Sequence, residues 1–196
     1  MFNRSRGAAL RTGAPCVLGL AAVFYATGAV IVPSTAEAYN LEGLRWPGQP
    51  TSGCCANLTM EYTSVSQSYD SAGYFAAFLA WNHSFGSGVN VNVTSVGSSA
   101  WTADDVYFSS VTWDGITIIA NSGSNFTAVG MHLNWYYTAT YTQQVITALA
   151  AHEIGHGLGL ADINTCALME PSTPVRSYCG TYAPTADDKN GVNAQY

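Results

Sequence analysis

The stretch AHEIGHGLGLAD, residues 151–162, decides how this chain folds and what it can bind. On an α-helix, His152 and His156 lie four residues apart and therefore point to the same side. Two imidazoles placed in this way can hold one zinc ion. Glu153 stands beside them, where its carboxylate can take a proton from a water molecule. The spacing predicts a helix that carries both a metal site and a general base.

The residues after the second histidine complete the predicted site. The helix has to end soon after His156, and Gly159 lets the chain turn sharply. Asp162 comes three residues later and can swing back as a third ligand. Three protein ligands with a fourth position left open for water are typical of a catalytic zinc site. We therefore expect one Zn²⁺ ion held by His152, His156 and Asp162. Glu153 would be the catalytic base of a secreted zinc endopeptidase.

This pattern, H-E-x-x-H-x-x-G-x-x-D over residues 152–162, resembles the zinc signature of the metzincin peptidases. The last position is usually histidine in that family, and aspartate there resembles the snapalysin-like peptidases. Met169 lies seven residues beyond Asp162 and resembles the methionine of the Met-turn that underlies the zinc. The alanines before the signature and residues 184–192 are more similar to matrixins. The resemblance is dense from about Gly115 to the C-terminus and thin before it.

The resemblance implies an α+β fold of the metzincin, or zincin-like, type. Its expected parts are a twisted, mostly five-stranded sheet, a long first helix, an active-site helix, a Met-turn and a short C-terminal helix. Residues 115–121 would form the sheet edge that borders the cleft. A protein or peptide substrate would bind there by adding its extended backbone as another strand.

Residue periodicity also predicts individual elements. Large apolar residues recur at helical spacing from Tyr74 to Trp81, with Ser71 as a plausible N-cap. The second helix is expected to begin at Thr140, with Gln143 as the partner in a capping box. Period-two alternation or β-rich composition predicts strands over residues 58–63, 89–94, 105–108, 115–120 and 128–135.

The N-terminal segment has the features of a secretory signal peptide. Arginines precede an apolar run over residues 14–32, and the small-x-small triplet at residues 36–38 predicts cleavage after Ala38. A retained membrane anchor is the alternative, because the run is close to spanning length. Residues 1–38 would thus be removed, and residues 39–196 would form one zinc metallopeptidase domain. That domain is expected to be extracellular, monomeric and without stable membrane association.

The expected mature chain is acidic. It keeps three basic residues, Arg45, Arg176 and Lys189, against eleven aspartates and glutamates. Such a surface repels phosphate backbones, so nucleic acid is not an expected partner.

Three aspartates outside the zinc signature raise the question of a second metal. Asp104, Asp105 and Asp114 are predicted to lie in loops, where metzincins often bind a structural Ca²⁺ ion. Solvated turn carboxylates are the alternative interpretation, because the spacing matches no known ligand motif.

Four of the five cysteines lie beyond the predicted signal peptide. An oxidising compartment makes disulfides the default state. Cys166 is expected to pair with Cys179, which would bracket Met169, and the spacing resembles the single bridge of snapalysin. Cys54 and Cys55 leave several possibilities open. They could form a vicinal disulfide, one could stay free, or one could occupy the metal's open position as matrixin pro-regions do.

The resemblance fails at the residue that stabilises the oxyanion. Snapalysin-like enzymes carry a tyrosine two residues after the ligand aspartate, where this chain has Asn164. Other metzincins place a tyrosine just after the Met-turn, where this chain has Glu170 and Pro171. Tyr178 and Tyr182 lie nearby in sequence, but a loop tyrosine is more often packed than catalytic.

Two other functions are compatible with parts of the sequence. A catalytically inactive relative could bind zinc or peptides without turnover, although intact Glu153 argues against it. A β-rich adhesion or carbohydrate-binding module could use Trp101, Trp113 and Tyr107, but it leaves the zinc spacing unexplained.

Overall fold

The computed structural model describes residues 39–196. The predicted signal peptide, residues 1–38, lies outside the described residues. In the described part, no helix combines the length and the apolar character needed to cross a membrane.

The described residues form an α+β fold. Its strands are β1 (Asn40–Leu41), β2 (Ala56–Ser64), β3 (Val91–Ser95), β4 (Trp101–Val106), β5 (Gly115–Ser122), β6 (Asn125–Asn134) and β7 (Leu160–Ala161). Its α-helices are α1 (Ser68–Trp81), α2 (Trp135–Thr138), α3 (Gln143–Gly157), α4 (Thr173–Tyr178) and α5 (Ala186–Gln195).

Five of the strands make one mixed sheet in the order β3-β2-β4-β6-β5. The first four strands run parallel, whereas β5 is antiparallel to β6. The prediction of a mostly five-stranded sheet is therefore confirmed. β5 covers the predicted edge segment and does lie at the edge, so within residues 39–196 one side of its backbone has no neighbouring strand.

The long helices α1 and α3 pack against each other and against the sheet. Gly73 of α1 permits their close approach, because a Cβ atom there would lie 2.6 Å from Cγ2 of Ile146 in α3. The buried indole of Trp81 joins the same two helices by donating a hydrogen bond to the Ala151 carbonyl, 2.8 Å away. This contact holds α1 against the part of α3 that carries the histidines.

The predicted start of α1 is wrong by several residues. The helix begins after Gln67, and Ser71 lies inside its first turns rather than at the N-cap. Asp105 of β4 accepts hydrogen bonds from the backbone N–H groups of Ser66 and Gln67, at 2.8 and 2.5 Å. A carboxylate from another element thus satisfies donors next to the helix start. The predicted apolar face is also interrupted, since Phe75 is 51% exposed.

The predicted start of α3 is displaced by the short helix α2. Thr140 donates its hydroxyl hydrogen to the Tyr137 carbonyl and belongs to the turn after α2. Thr142 is the N-cap, and its hydroxyl accepts from the N–H of Val145. Strand β4 likewise begins and ends earlier than predicted, over Trp101–Val106.

The segment after α3 contains both cysteines of the predicted bridge. Cys166 and Cys179 are joined as a disulfide, with Cα atoms 5.5 Å apart. The structure also joins Cys54 to Cys55, which is the vicinal alternative. The predicted short C-terminal helix is α5, and it begins with a capping box between Thr185 and Asp188.

Candidate metal centre

Helix α3 positions two of the predicted ligands. His152 is 4% exposed, and the half-buried His156 stands one turn further along the same face. The centroids of their rings are 4.7 Å apart, with the planes nearly perpendicular. The predicted helical juxtaposition of the two imidazoles is therefore present.

The third ligand reaches them through a turn and a short strand. Gly159 has a φ of +96°, and a Cβ atom there would lie 2.5 Å from the Leu44 carbonyl oxygen. Both features favour glycine at this position. The chain then enters β7, which pairs antiparallel with β1. Asn40 of β1 donates a side-chain hydrogen bond to the carbonyl of Asp162 at 3.1 Å, which holds this residue beside the histidines.

The three side chains converge on one point. Nε2 of His152 lies 3.2 Å from Nε2 of His156, and each lies 3.4 Å from Oδ1 of Asp162. Ligands placed at about 2.0–2.1 Å around a tetrahedral zinc ion are separated by about 3.3 Å. The donor atoms therefore have the spacing that one such ion requires.

Hydrogen bonds to the other ring nitrogens fix the tautomers. Nδ1 of His152 lies 3.0 Å from the Leu168 carbonyl, and Nδ1 of His156 lies 2.8 Å from the Leu160 carbonyl. A carbonyl only accepts, so each Nδ1 carries the hydrogen. In the neutral rings each Nε2 then presents its lone pair, and both face the Asp162 carboxylate. Three electron-rich atoms held this closely repel one another unless a cation or a proton lies between them.

The electrostatic surroundings of the two histidines differ. Burial lowers the pKa of His152, and the charges of Arg176 and His156 lower it further. Burial also acts to lower the pKa of His156, but Asp162 and Glu153 outweigh it and the pKa is raised. A proton would therefore compete with a metal ion mainly at His156.

Glu153 lies next to the ligands and is 3% exposed. Its Oε2 accepts a hydrogen bond of 2.6 Å from the hydroxyl of Thr117 in β5. Burial raises the pKa of the Glu153 carboxyl, whereas His156, the Thr117 hydrogen bond and Arg176 act to lower it. The predicted base is thus in contact with the edge strand.

A cleft of about 300 Å³ opens onto these groups. The three ligands and Glu153 form part of its wall, and β5 contributes Gly115, Ile116, Thr117 and Ile119. Glu42 and Asp114 add two further carboxylates, and Pro171 lies on the side of the Met-turn. The free edge of the sheet and the candidate metal centre therefore border the same cavity.

Met169 lies directly against the helix turn that carries the ligands. It is 2% exposed, and its sulfur is the atom closest to the position of a Cβ added at Gly155. The backbone around it is anchored by Asp188 of α5, whose carboxylate accepts from the N–H groups of Leu168 and Met169 at 3.1 and 3.3 Å. The Cys166–Cys179 bridge encloses the same segment.

The aspartates considered for calcium do not come together. Asp104 lies 2.5 Å from His132 Nδ1, and Asp105 holds the start of α1. Asp114 accepts from the hydroxyl of Tyr141 at 2.9 Å. Two of them also lie in strand β4 and not in a loop. These three residues therefore do not form a shared calcium site, and Asp104 and Asp105 are not turn carboxylates either.

Within residues 39–196, two groups have the spacing to hold a metal. One is the set His152, His156 and Asp162. The other contains Cys54, Cys55 and His83. In the second group the cysteines are bonded to each other, so neither offers a free thiolate. The first group is the candidate metal centre.

Neither tyrosine considered for the oxyanion belongs to the cleft wall. Tyr178 is 92% exposed, and the hydroxyl of Tyr182 donates to the Ser177 carbonyl at 3.3 Å. Sequence reasoning missed Thr117 as a partner of Glu153. The alternation of β5 places residues 115, 117 and 119 on one face of the strand, but it does not indicate which residue that face contacts.

No family model matches the sequence, and no curated protein matches it significantly.

Proposed function

We propose that this protein is a secreted zinc-dependent endopeptidase of the metzincin type with a snapalysin-like ligand set. The observation that carries the proposal is the convergence of three donor atoms, 3.2 to 3.4 Å apart, beside the buried carboxylate of Glu153. A structural zinc site would be closed by a fourth protein ligand. Here the candidate centre borders an open cleft, as a catalytic site requires.

His152, His156 and Asp162 would hold the ion, with Leu168 and Leu160 fixing the two rings from behind. A zinc ion bound there supplies Lewis acidity, which makes water a stronger nucleophile and polarises a carbonyl group. Half of the Asp162 side chain is exposed, so this ligand lies at the solvent side of the centre.

Glu153 would perform the proton transfers. Its carboxylate accepts a proton from the attacking water and then delivers it to the departing amine of the cleaved peptide. This carboxylate is buried, and its Oε2 accepts a hydrogen bond from the neighbouring Thr117 hydroxyl. No tyrosine is assigned to the oxyanion.

The free edge of β5 would bind the substrate. An extended peptide can pair with that edge through backbone hydrogen bonds, which are independent of side-chain identity. The same strand lines the cleft beside the ligands, so a bound peptide would run past them. This arrangement favours a protein or peptide substrate.

Secretion rests on the predicted signal peptide. The two disulfides within the described residues fit an oxidising compartment. N-terminal sequencing of the protein collected from culture medium would test this part of the proposal. An N-terminus at Tyr39 is expected, whereas retention of the uncleaved chain in the membrane fraction would contradict it.

The function is tested by comparing Glu153→Ala and Asp162→Ala with the wild-type protein. Hydrolysis of casein with and without a chelator gives the activity, and elemental analysis gives the zinc content. We expect Glu153→Ala to keep zinc and to lose hydrolysis by about 10²- to 10⁴-fold. Asp162→Ala should lose both. A wild-type protein that binds zinc but never cleaves casein or a peptide library would support a catalytically inactive relative instead.

A further inference from the structure

We infer that Thr117 is a positioning residue for Glu153, so that the edge strand β5 orients the general base as well as the substrate. This inference rests on the proposed function. It concerns a side chain that is neither a metal ligand nor part of the signature in residues 152–162.

The first observation is the direction of the hydrogen bond. The Thr117 hydroxyl has one hydrogen and two possible acceptors on Glu153, the carboxylate Oε2 at 2.6 Å and the backbone carbonyl at 3.2 Å. The shorter contact is to the charged group, and hydrogen bonds to ionised acceptors are the stronger kind. Thr117 therefore donates to the carboxylate.

The second observation concerns the other carboxylate oxygen. A Cβ atom added at Gly115 would lie 2.5 Å from Oε1 of Glu153 and 2.9 Å from Cδ1 of Leu149. A side chain at position 115 would clash with Oε1, so the glycine lets strand β5 approach this oxygen closely. Since Gly115 and Thr117 are two residues apart, both belong to the same face of β5.

Together these contacts restrict the terminal rotation of the Glu153 side chain. Oε2 accepts the hydrogen bond from Thr117, and Oε1 lies against the backbone at Gly115, where there is no side chain. A general base has to stay within hydrogen-bonding reach of the proton that it takes. Because the same strand would pair with the substrate backbone, the position of the base and that of the peptide are set by one element.

A purely structural role for Thr117 makes a different prediction. Threonine and valine have nearly the same shape, so Thr117→Val removes the hydroxyl and preserves the volume. If only packing mattered, this variant would keep its activity. If the hydroxyl orients the base, kcat should fall by about 10- to 100-fold while KM and zinc content stay close to wild type.

The test uses the full-length mature protein and a fluorogenic peptide built on the casein bond that the wild type cleaves. Thr117→Ser restores the hydroxyl and should return kcat to within about threefold of wild type. Thr102→Val is the matched control, a half-buried strand threonine whose hydroxyl makes a 3.5 Å contact to the Val129 carbonyl. It should behave as wild type.

Three results would overturn the inference while leaving the proposed function intact. These are unchanged kcat in Thr117→Val, joint loss of zinc and activity in that variant, and failure of Thr117→Ser to recover. Thermal unfolding of each variant identifies any loss of folding. A wild-type protein without chelator-sensitive cleavage would overturn the proposed function, and this inference with it.

Discussion

Glu153 experiences opposing influences on its protonation. Burial raises the pKa of its carboxyl above the ordinary 4.5, while His156, the Thr117 hydroxyl and Arg176 limit the rise. A carboxyl group acts as a base only when it is ionised. The acidity of this one side chain should therefore set the lower pH limit of activity.

We expect kcat/KM of the zinc-loaded protein to fall as the pH decreases through the pKa of Glu153, because only the ionised carboxylate acts as a base. Burial raises this pKa, and the charge of a bound zinc ion acts in the opposite direction. A pH–rate profile with zinc content measured at each point checks this. Activity that stays constant with falling pH until zinc is lost would contradict the assignment of Glu153 as the base.

At the scale of elements, the two glycines in the last turn of α3 have different neighbours. A Cβ added at Gly157 would lie 2.5 Å from the buried ring of Trp101, whereas one at Gly155 would meet the sulfur of Met169. An indole enclosed in the core cannot move aside easily, but the unbranched side chain of a methionine can.

We predict that Gly157→Ala destabilises the protein more than Gly155→Ala. Alanine improves helix propensity by about 1 kcal/mol at either position, but overpacking against Trp101 costs about 1–3 kcal/mol. Urea unfolding of the two zinc-loaded variants measures the difference. If Gly157→Ala were more stable than Gly155→Ala, the prediction would be wrong and the Trp101 ring would have to move aside.

Helix α5 holds the Met-turn through a single carboxylate. Asp188 is 1% exposed and accepts from the N–H groups of Leu168 and Met169 as well as from Thr185. The Leu168 carbonyl in turn accepts from Nδ1 of His152. A chain of contacts therefore leads from the C-terminal helix to the candidate metal ligand His152.

Asp188→Ala should lower the free energy of unfolding by about 2–3 kcal/mol, because two buried N–H groups lose their acceptor. It should also weaken zinc affinity by about tenfold or more. Thr185→Ala is the control, since it removes the side-chain half of the capping box and the hydroxyl hydrogen bond to Asp188 but leaves the Asp188 contacts to Leu168 and Met169 in place. It should cost about 1 kcal/mol with zinc affinity close to wild type. Equal weakening of zinc binding in both variants would contradict this connection.

The stability of the whole molecule should depend on the charge of Asp70. This side chain is fully buried in the first turn of α1, and one of its oxygens accepts from Thr138 at 3.0 Å while the other has no hydrogen-bond partner among residues 39–196. Burial raises its pKa from 3.8 to about 6. The folded protein thus binds a proton at Asp70 more tightly than the unfolded chain does. The stability that this protonation contributes is lost as the pH rises from about 4 to 6.

Asp70→Asn should therefore raise the free energy of unfolding at pH 7.5 by up to about 3 kcal/mol, and by much less near pH 4. Thermal unfolding at the two pH values checks the sign. A variant that is less stable than wild type at pH 7.5 would show that the ionised Asp70 is stabilising.

Across the molecule, local spacing predicted the juxtaposition of side chains on α3 better than it predicted the element boundaries. His152 and His156 are related by helix geometry alone, whereas Asp162 needs the turn at Gly159 and also the contacts of β1, including Asn40. The start of α1 depends instead on Asp105 of β4, a contact that no short-range pattern contains. Helix α3 begins later than expected because α2 and the turn after it occupy the preceding residues, although its N-cap, Thr142, is local.

The contact between Thr117 and Glu153 also depends on the packing of distant elements. The two residues are 36 positions apart and meet only because β5 pairs beside β6 and under α3. The placement of the aspartates considered for calcium was wrong for a related reason. Asp104 and Asp105 are adjacent in a strand, so their side chains point to opposite faces and find different partners.

The central claim is that His152, His156 and Asp162 hold one metal ion. Anomalous diffraction at the zinc edge, from crystals of the mature protein grown with zinc, tests it most directly. We predict one strong peak at about 2.0–2.2 Å from both Nε2 atoms and from a carboxylate oxygen of Asp162, with no fourth protein ligand. A carboxylate of Asp162 turned away to solvent, or no peak between the two imidazoles, would contradict it.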